Sequence, residues 1–464
     1  MPVRSHFWYR SQKWEWLGEG ARVTDTATTG RLSGEAVRSL RTLDPAQPLD
    51  DLDWLDQVIG DARVVALGET AHYNGEFFQL RHRLLRYLVE RHGFSAYAME
   101  SGFVESRQVD DWTRGGAGDL GRVMANGMTS LMGLWTQMRS HLEWMREHNR
   151  ATPARPVRFY GIDLPGSMVS LLPGLDAVMA YLEQADPDYR ADPEFRETAR
   201  ACAAPSSFSA PAALAAYGQL PCERRDALTA HLADLSERMA GRRLDYLRRT
   251  TAEAYEWALR SLRITVTLDG MIREAARGNR QALVSHRDAA IADTVEWILR
   301  GEERIVLAAH NGHVQRVPLT LPGMPEATPM GMHLADRLGA DYRVIGATSG
   351  TGHVLNTGSD FYDGALFTQL EAPRPGSLDA LMAASHGGPF AVDLRRLPPA
   401  DAALVRSATR QRTGIGTFYA EQCAMDAYDA LIHLPHVTPA APDPAALAHV
   451  PGEVREPFAA WQPR

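Results

Sequence analysis

Three kinds of side chain recur in one kind of place along this chain. Glu69 with His72, Glu100, Asp163, and His310 with His313 each follow a short apolar run. Imidazoles can take a proton near neutral pH, because their unperturbed pKa is about 6.5. Carboxylates beside them can fix the tautomer and stabilise the imidazolium. That set suits hydrolysis by activated water, with His72 as general base and Glu69 or Glu100 as its orienting carboxylate. Arg81, His310 and His313 are the candidates for stabilising charge on a carbonyl oxygen, and one of the two histidines could instead protonate a leaving alkoxide. Thr70, Asp163 and Asn311 lie in the same segments and are expected to contact substrate. No GxSxG elbow occurs, which argues against a covalent serine esterase.

The elements that must position these groups are legible from periodicity. Apolar runs at Arg63 to Leu67, Ala96 to Met99, Val157 to Tyr160, Ile305 to Ala309 and Tyr342 to Gly346 alternate with helix-like text. This is the signature of parallel βαβ construction. The expected fold is α/β, with a mostly parallel central sheet flanked by helices and a long helical insertion acting as a lid. In such sheets ligands bind outside the carboxyl ends of the strands, so four distant segments aim at one crevice. Helices are expected at Glu76 to His92, capped by Asn74, and at 133–147, 174–184 and 286–300. Arg81 falls beside the apolar stripe of the first of these and needs a carboxylate partner, for which Glu69 and Glu100 are the obvious choices.

The expected organisation runs from an N-terminal extension (1–30, with an aromatic cluster) to the first part of the core (31–185). An Ala- and Arg-rich helical insertion follows (186–285), then the second part of the core (286–400). A C-terminal helix and a Pro/Ala-rich tail that wraps the surface complete it (401–464). The insertion, about a hundred residues, is too long for an ordinary crossover.

The 464 residues hold 49 basic and 57 acidic side chains, a net charge of -8. No basic field exists to collect phosphate backbones, so nucleic acid is not an expected partner. No apolar run approaches the ~18 residues of a membrane span and the first thirty lack an apolar signal region, giving a cytoplasmic default. Cys202, Cys222 and Cys423 are odd in number and unpaired in spacing, which fits neither a disulfide framework nor a zinc cluster. Lys13 is the only lysine, so neither a Schiff base nor a P-loop cation is available. A zinc reading competes, since three histidines and two glutamates at strand ends could hold the ion. A nearby arginine and a spacing unlike helical HExxH weigh against it, so no metal and no cofactor is expected.

The segments ALGETAHYNGEFFQLRHRLLRYLVERHGFSAYAMESGFVE, FYGIDLPG, RDAAIADTVEWIL, VLAAHNGHVQ and PMGMHLADRLGADYRVIGATSGTGH, in that order over roughly residues 35–395, resemble the erythromycin esterase family. The resemblance implies hydrolysis of a macrolactone ester, inactivating macrolide antibiotics and conferring resistance, without a serine nucleophile. It places the family's functional residues on Glu69, His72, Arg81, Glu100, His310 and His313. The middle insertion matches poorly and is where substrate choice would be shaped. The expected partner is a small macrolide or polyketide-type ester. The alternative is a natural-product tailoring enzyme using the same residues for acyl transfer, lactonisation or elimination.

Overall fold

The computed structural model describes residues 30–320, 325–356, 358, 360–361, 364–413 and 418–461. The expected N-terminal extension therefore lies outside the described residues, Gly30 excepted. In chain order the strands are β1 (Arg38–Ser39), β2 (Val64–Leu67), β3 (Ala96–Gly102), β4 (Arg158–Asp163), β5 (Ile305–Ala308), β6 (Tyr342–Leu355), β7 (Phe367–Leu370), β8 (Phe390–Asp393), β9 (Arg410–Thr413), β10 (Phe418–Glu421) and β11 (Ala430–Val437). Five helices matter to the site and its surroundings: α1 (Gly75–His92), α2 (Cys222–Gly241), α3 (Ala252–Ala276), α4 (Arg280–Ile298) and α5 (Asn311–Val314).

The main sheet runs β1-β8-β11-β6-β2-β5-β3-β4, with β7 paired to the far half of β6. From β11 to β4 every neighbouring pair is parallel, whereas β8 and β1 close one edge antiparallel. The five apolar runs read from the sequence are β2 to β6. Strands buried on both faces read as unbroken apolar text, and VVAL of β2 and IVLA of β5 are buried at every position.

Alternation along these strands divides the core. Val64, Ala66, Ala96, Ala98, Ile305 and Leu307 pack on one face with Leu262 and Leu268 of α3 and Ile291 and Val295 of α4. Val65, Leu67, Tyr97, Met99, Val306 and Ala308 pack on the other with Leu80, Leu84 and Leu88 of α1. Between β4 and β5 the chain is helical, and α3 contributes to the same apolar cluster as the sheet. No helix among the described residues is long and apolar enough to cross a membrane.

Two expectations need correction. Residues 430–437 belong to a strand, β11, paired with β6 and β8, rather than to a helix-and-tail segment. The polar His433 and the proline at 435 interrupt the apolar run ALIHLP, which hides its strand character in the sequence. The tail also does more than wrap the surface, since some of its residues enter the core. Ala440 and Asp443 are buried, Ala440 N–H donates to Tyr73 O and Asp443 N–H to Leu134 O, and Val454 and Phe458 join the α1-side core. Asn74 does stand at the N-cap of α1, yet its amide donates to His353 O and Thr438 O instead of capping.

Buried histidines make the fold acid-sensitive. His82 and His141 stack at 4.9 Å and His433 is fully buried. Burial pushes His82 down to about 4 and His433 to about 3, and holds His141 well below the ordinary value. Below about pH 6.5 the unfolded chain takes up protons that these rings refuse, so stability falls as pH falls. The expected loss is about 1.4 kcal/mol per pH unit per histidine. Urea unfolding at about pH 7 and about pH 5 checks this, and equal or greater stability at the lower pH would overturn it.

Candidate active site

Register brings the site together. Leu67 of β2 pairs with Ala308 of β5, so these two strands end at one level, and Met99 of β3 pairs with the same Ala308 before β3 runs on to Gly102. Gly68 to His72 and Ala309 to His313 leave from that edge, beside Glu100, the next residue of β3. The loops come close enough to demand glycine at 68, where a Cβ would lie 2.1 Å from Asn311 Oδ1.

His72 Nδ1 lies 2.6 Å from Glu69 Oε1, and the other oxygen of Glu69 receives Arg81 Nη1 at 2.9 Å. The partner of Arg81 and the orienter of His72 are thus the same carboxylate. Arg81 also donates to Ala309 O at 2.8 Å, which ties α1 to the end of β5. Burial disfavours the charge on Glu69, but Arg81 and His72 outweigh it and hold its pKa below the usual carboxylate value. Removing Arg81 would leave that carboxylate buried and uncompensated. Arg81→Leu is expected to cost about 3–5 kcal/mol of stability, measurable by denaturant unfolding. A loss below 1 kcal/mol, the range of an exposed pair, would sink the assignment.

Glu100 forms the second node. Its Oε2 accepts the His310 backbone N–H at 2.8 Å, while Oε1 meets Arg287 Nη2 at 3.0 Å, His313 Nε2 at 3.3 Å and His72 Nε2 at 3.8 Å. His313, His72 and Arg287 overcome the burial penalty and keep this carboxylate ionised, well below its ordinary pKa. For His72, burial opposes the charged ring, and Glu100 and Glu69 together raise its pKa above the ordinary value.

The two histidines of HNGH diverge. Nε2 of His310 lies 3.0 Å from Thr70 O, and its Nδ1 accepts the Gly312 N–H at 3.1 Å. Both nitrogens are thereby engaged in a neutral ring with Nε2–H, and burial with the nearby His72 lowers its pKa to about 4. His313 Nδ1 lies 2.8 Å from Asp288 Oδ2, an oxygen that also accepts Met330 N–H. Burial opposes the charge on His313, yet Asp288 and Glu100 raise its pKa to about 10.

Arg287 and Asp288 escaped sequence reading. Arg287 also clamps Asp163, with Nε at 2.9 Å and Nη2 at 2.5 Å. The helix read as starting at 286 begins at Arg280, so both residues sit two turns inside α4 with nothing in their spacing to mark them. Asp163 and Asn311, expected at the substrate, are otherwise occupied. Asp163 is paired with Arg287 and accepts Leu164 N–H, while the Asn311 amide both donates to Ala347 O and accepts Ala347 N–H. These hydrogen bonds hold both side chains in place, as a buried polar side chain keeps whichever partners satisfy it. Thr70 Oγ1 meets Ser349 Oγ at 3.1 Å. Among the described residues no set of three His, Cys, Asp or Glu side chains is arranged to hold a metal ion, and the two glutamates face guanidinium groups.

Strained backbone gathers beside the site. Among the described residues, the non-glycine positions with positive φ are Tyr73, Ser130, Leu131, Ser167 and Met168. Tyr73 Oη donates to Ser130 O, and Ser130 N–H donates to Ser167 Oγ at 3.2 Å, so these loops brace one another. Such conformations cost about 1–3 kcal/mol each and persist where surrounding packing enforces them.

Comparison with known proteins shows the family to which the chain belongs. The family described as erythromycin esterase matches residues 89–437. The type II erythromycin esterase of Escherichia coli is 31% identical over 320 residues, 67% of this chain and 74% of that protein. The type I enzyme of Escherichia coli is 32% identical over 329 residues, 67% of this chain and 76% of that protein. A solved erythromycin esterase variant in an open conformation shares the fold, with a TM-score of 0.70 at 23% identity over 87% of this chain and 98% of that one. The chain accordingly belongs to the erythromycin esterase family, and its enzymatic class is carboxylic ester hydrolase.

Proposed function

We propose that this enzyme opens the macrolactone ring of an erythromycin-like macrolide by attack of a histidine-activated water, a reaction that would confer resistance. One observation carries the mechanism: His72 is pinned through Nδ1, while its Nε2 hydrogen-bonds to no described residue and stands 3.8 Å from Glu100. That nitrogen can accept a proton from water as the water oxygen attacks the ester carbonyl. Glu69 then stabilises the imidazolium through Nδ1–H, in the manner of the third member of a catalytic triad.

The developing oxyanion needs donors already in place. His313, charged at neutral pH and held through Nδ1 by Asp288, has its Nε2 3.3 Å from Glu100 Oε1 and would share that Nε2–H with the oxyanion before passing it to the leaving alkoxide. The Arg287 guanidinium, with Nη1 3.0 Å from the same nitrogen, adds positive charge there. His310, beside them, stays neutral, and Thr70 lies next to it. The helical segment 186–285 is where selection among macrolide or polyketide-type esters would reside.

The test is an assay of purified protein against a panel of macrolides, with products identified by mass. The expected product is the ring-opened acid, heavier by one water. Prior dialysis against a chelator should leave the rate unchanged. No ring-opened product from any 14-membered macrolide would sink the substrate assignment, and activity lost to the chelator and restored by added zinc would sink the metal-free mechanism.

A further inference from the structure

Away from the strand ends, a groove of about 390 Å³ lies between α2, α3 and α4, lined by Ser236, Arg260, Arg263, Thr267, Ala290 and Asp293. Arg260 is only 6% exposed and faces no carboxylate within ion-pair distance among the described residues. Its Nε and Nη2 reach Thr294 Oγ1 at 3.1 and 2.5 Å, and Nη2 also donates to Ala290 O at 2.6 Å. Its Nη1 hydrogen-bonds to no described residue. Neither Arg263 nor Arg300, whose charges both bear on Arg260, forms an ion pair among the described residues. Asp293, the acidic group on the groove, is already bound to Arg337 at 2.7 Å, and Glu296 shares that arginine.

A buried guanidinium without a counter-charge is costly, and an anion with several acceptor oxygens supplies what the fork lacks. Burial, joined by the charges of Arg263 and Arg300, outweighs the favourable Asp293 carboxylate and lowers the pKa of Arg260 to about 10, so added negative charge at this groove would be favoured. We propose that this groove is a binding site for a phosphate-class oxyanion, held between Arg260 and Arg263. Ala290 and Thr294, the anchors of Arg260, lie on α4 just beyond Arg287 and Asp288, so the bound anion would brace the helix that carries those two residues. The site stands independently of which ester is hydrolysed.

Calorimetric titration of the whole chain with inorganic phosphate, at ionic strength fixed with chloride, is the test. Saturable one-site binding with a phosphate-dependent rise in Tm is expected, with sulfate competing. Arg263→Ala, an exposed change that should fold, is expected to weaken phosphate binding roughly tenfold or more. Arg260→Met is expected to abolish binding if the variant folds. Absence of saturable binding to the parent protein, or parent affinity retained in Arg263→Ala, would overturn the proposal.

Discussion

His72→Ala is expected to lower kcat/KM for macrolactone opening by about 10²–10⁴-fold, the range of a positioned general base. The side chain is 18% exposed, more than Glu69, Glu100 or His313, and faces the place where water must enter. The Tm of the variant, measured alongside, distinguishes loss of chemistry from loss of fold. His72→Gln is a stricter test, since the amide can still accept a hydrogen bond but is not basic. Ring opening at the parent rate by either variant would remove His72 from the reaction. In the parent enzyme, kcat/KM should rise with pH through an apparent pKa above the ordinary histidine value, because Glu100 and Glu69 favour the charged ring over the basic one.

The second large effect belongs to a residue that touches no substrate. Asp288 is fully buried and spends its carboxylate on His313 Nδ1 and the Met330 N–H. It is a positioning residue, and what it fixes is the charge of His313. With its pKa raised to about 10, that ring is an imidazolium across the neutral range and loses its proton only as pH climbs through about 10. The alkaline limb of kcat/KM should lie there. Asp288→Asn preserves shape and removes the charge, so the limb is expected to move toward neutrality. The rate at neutral pH should drop by about 10²–10³-fold, as for loss of one oxyanion donor. A purely structural role would lower Tm and leave the limb in place, and that outcome would refute the assignment.

The His310 and His313 contrast shows where sequence reading stops. Both occupy one tetrapeptide and both look equally fit to donate. Their protonation is decided by what closes in from elsewhere in the chain: burial beside His72 for His310, Asp288 and Glu100 for His313. The choice of Glu69 over Glu100 as partner of both His72 and Arg81 is equally undecidable from the sequence, since each carboxylate closely follows an apolar run. Asn311 illustrates the reverse case, an apparent substrate contact whose amide is consumed by the next strand.

What the sequence determined by itself is local and periodic. Unbroken apolar runs mark strands buried on both faces, 3.6-residue spacing marks α1, and polar residues placed just past apolar runs must surface at the carboxyl edge of a parallel sheet. Hence Glu69, His72, Arg81, Glu100, His310 and His313 could all be named before any coordinates. What only the tertiary structure decided is partnership: Arg287 and Asp288 reaching in from mid-helix, β11 slotting between β6 and β8, and the tail threading past Tyr73. The reason is physical. Patterning follows from neighbours within a few residues, whereas hydrogen bonds, desolvation and ion pairing depend on distances of a few ångströms between groups as far apart in the chain as Glu100 and His310.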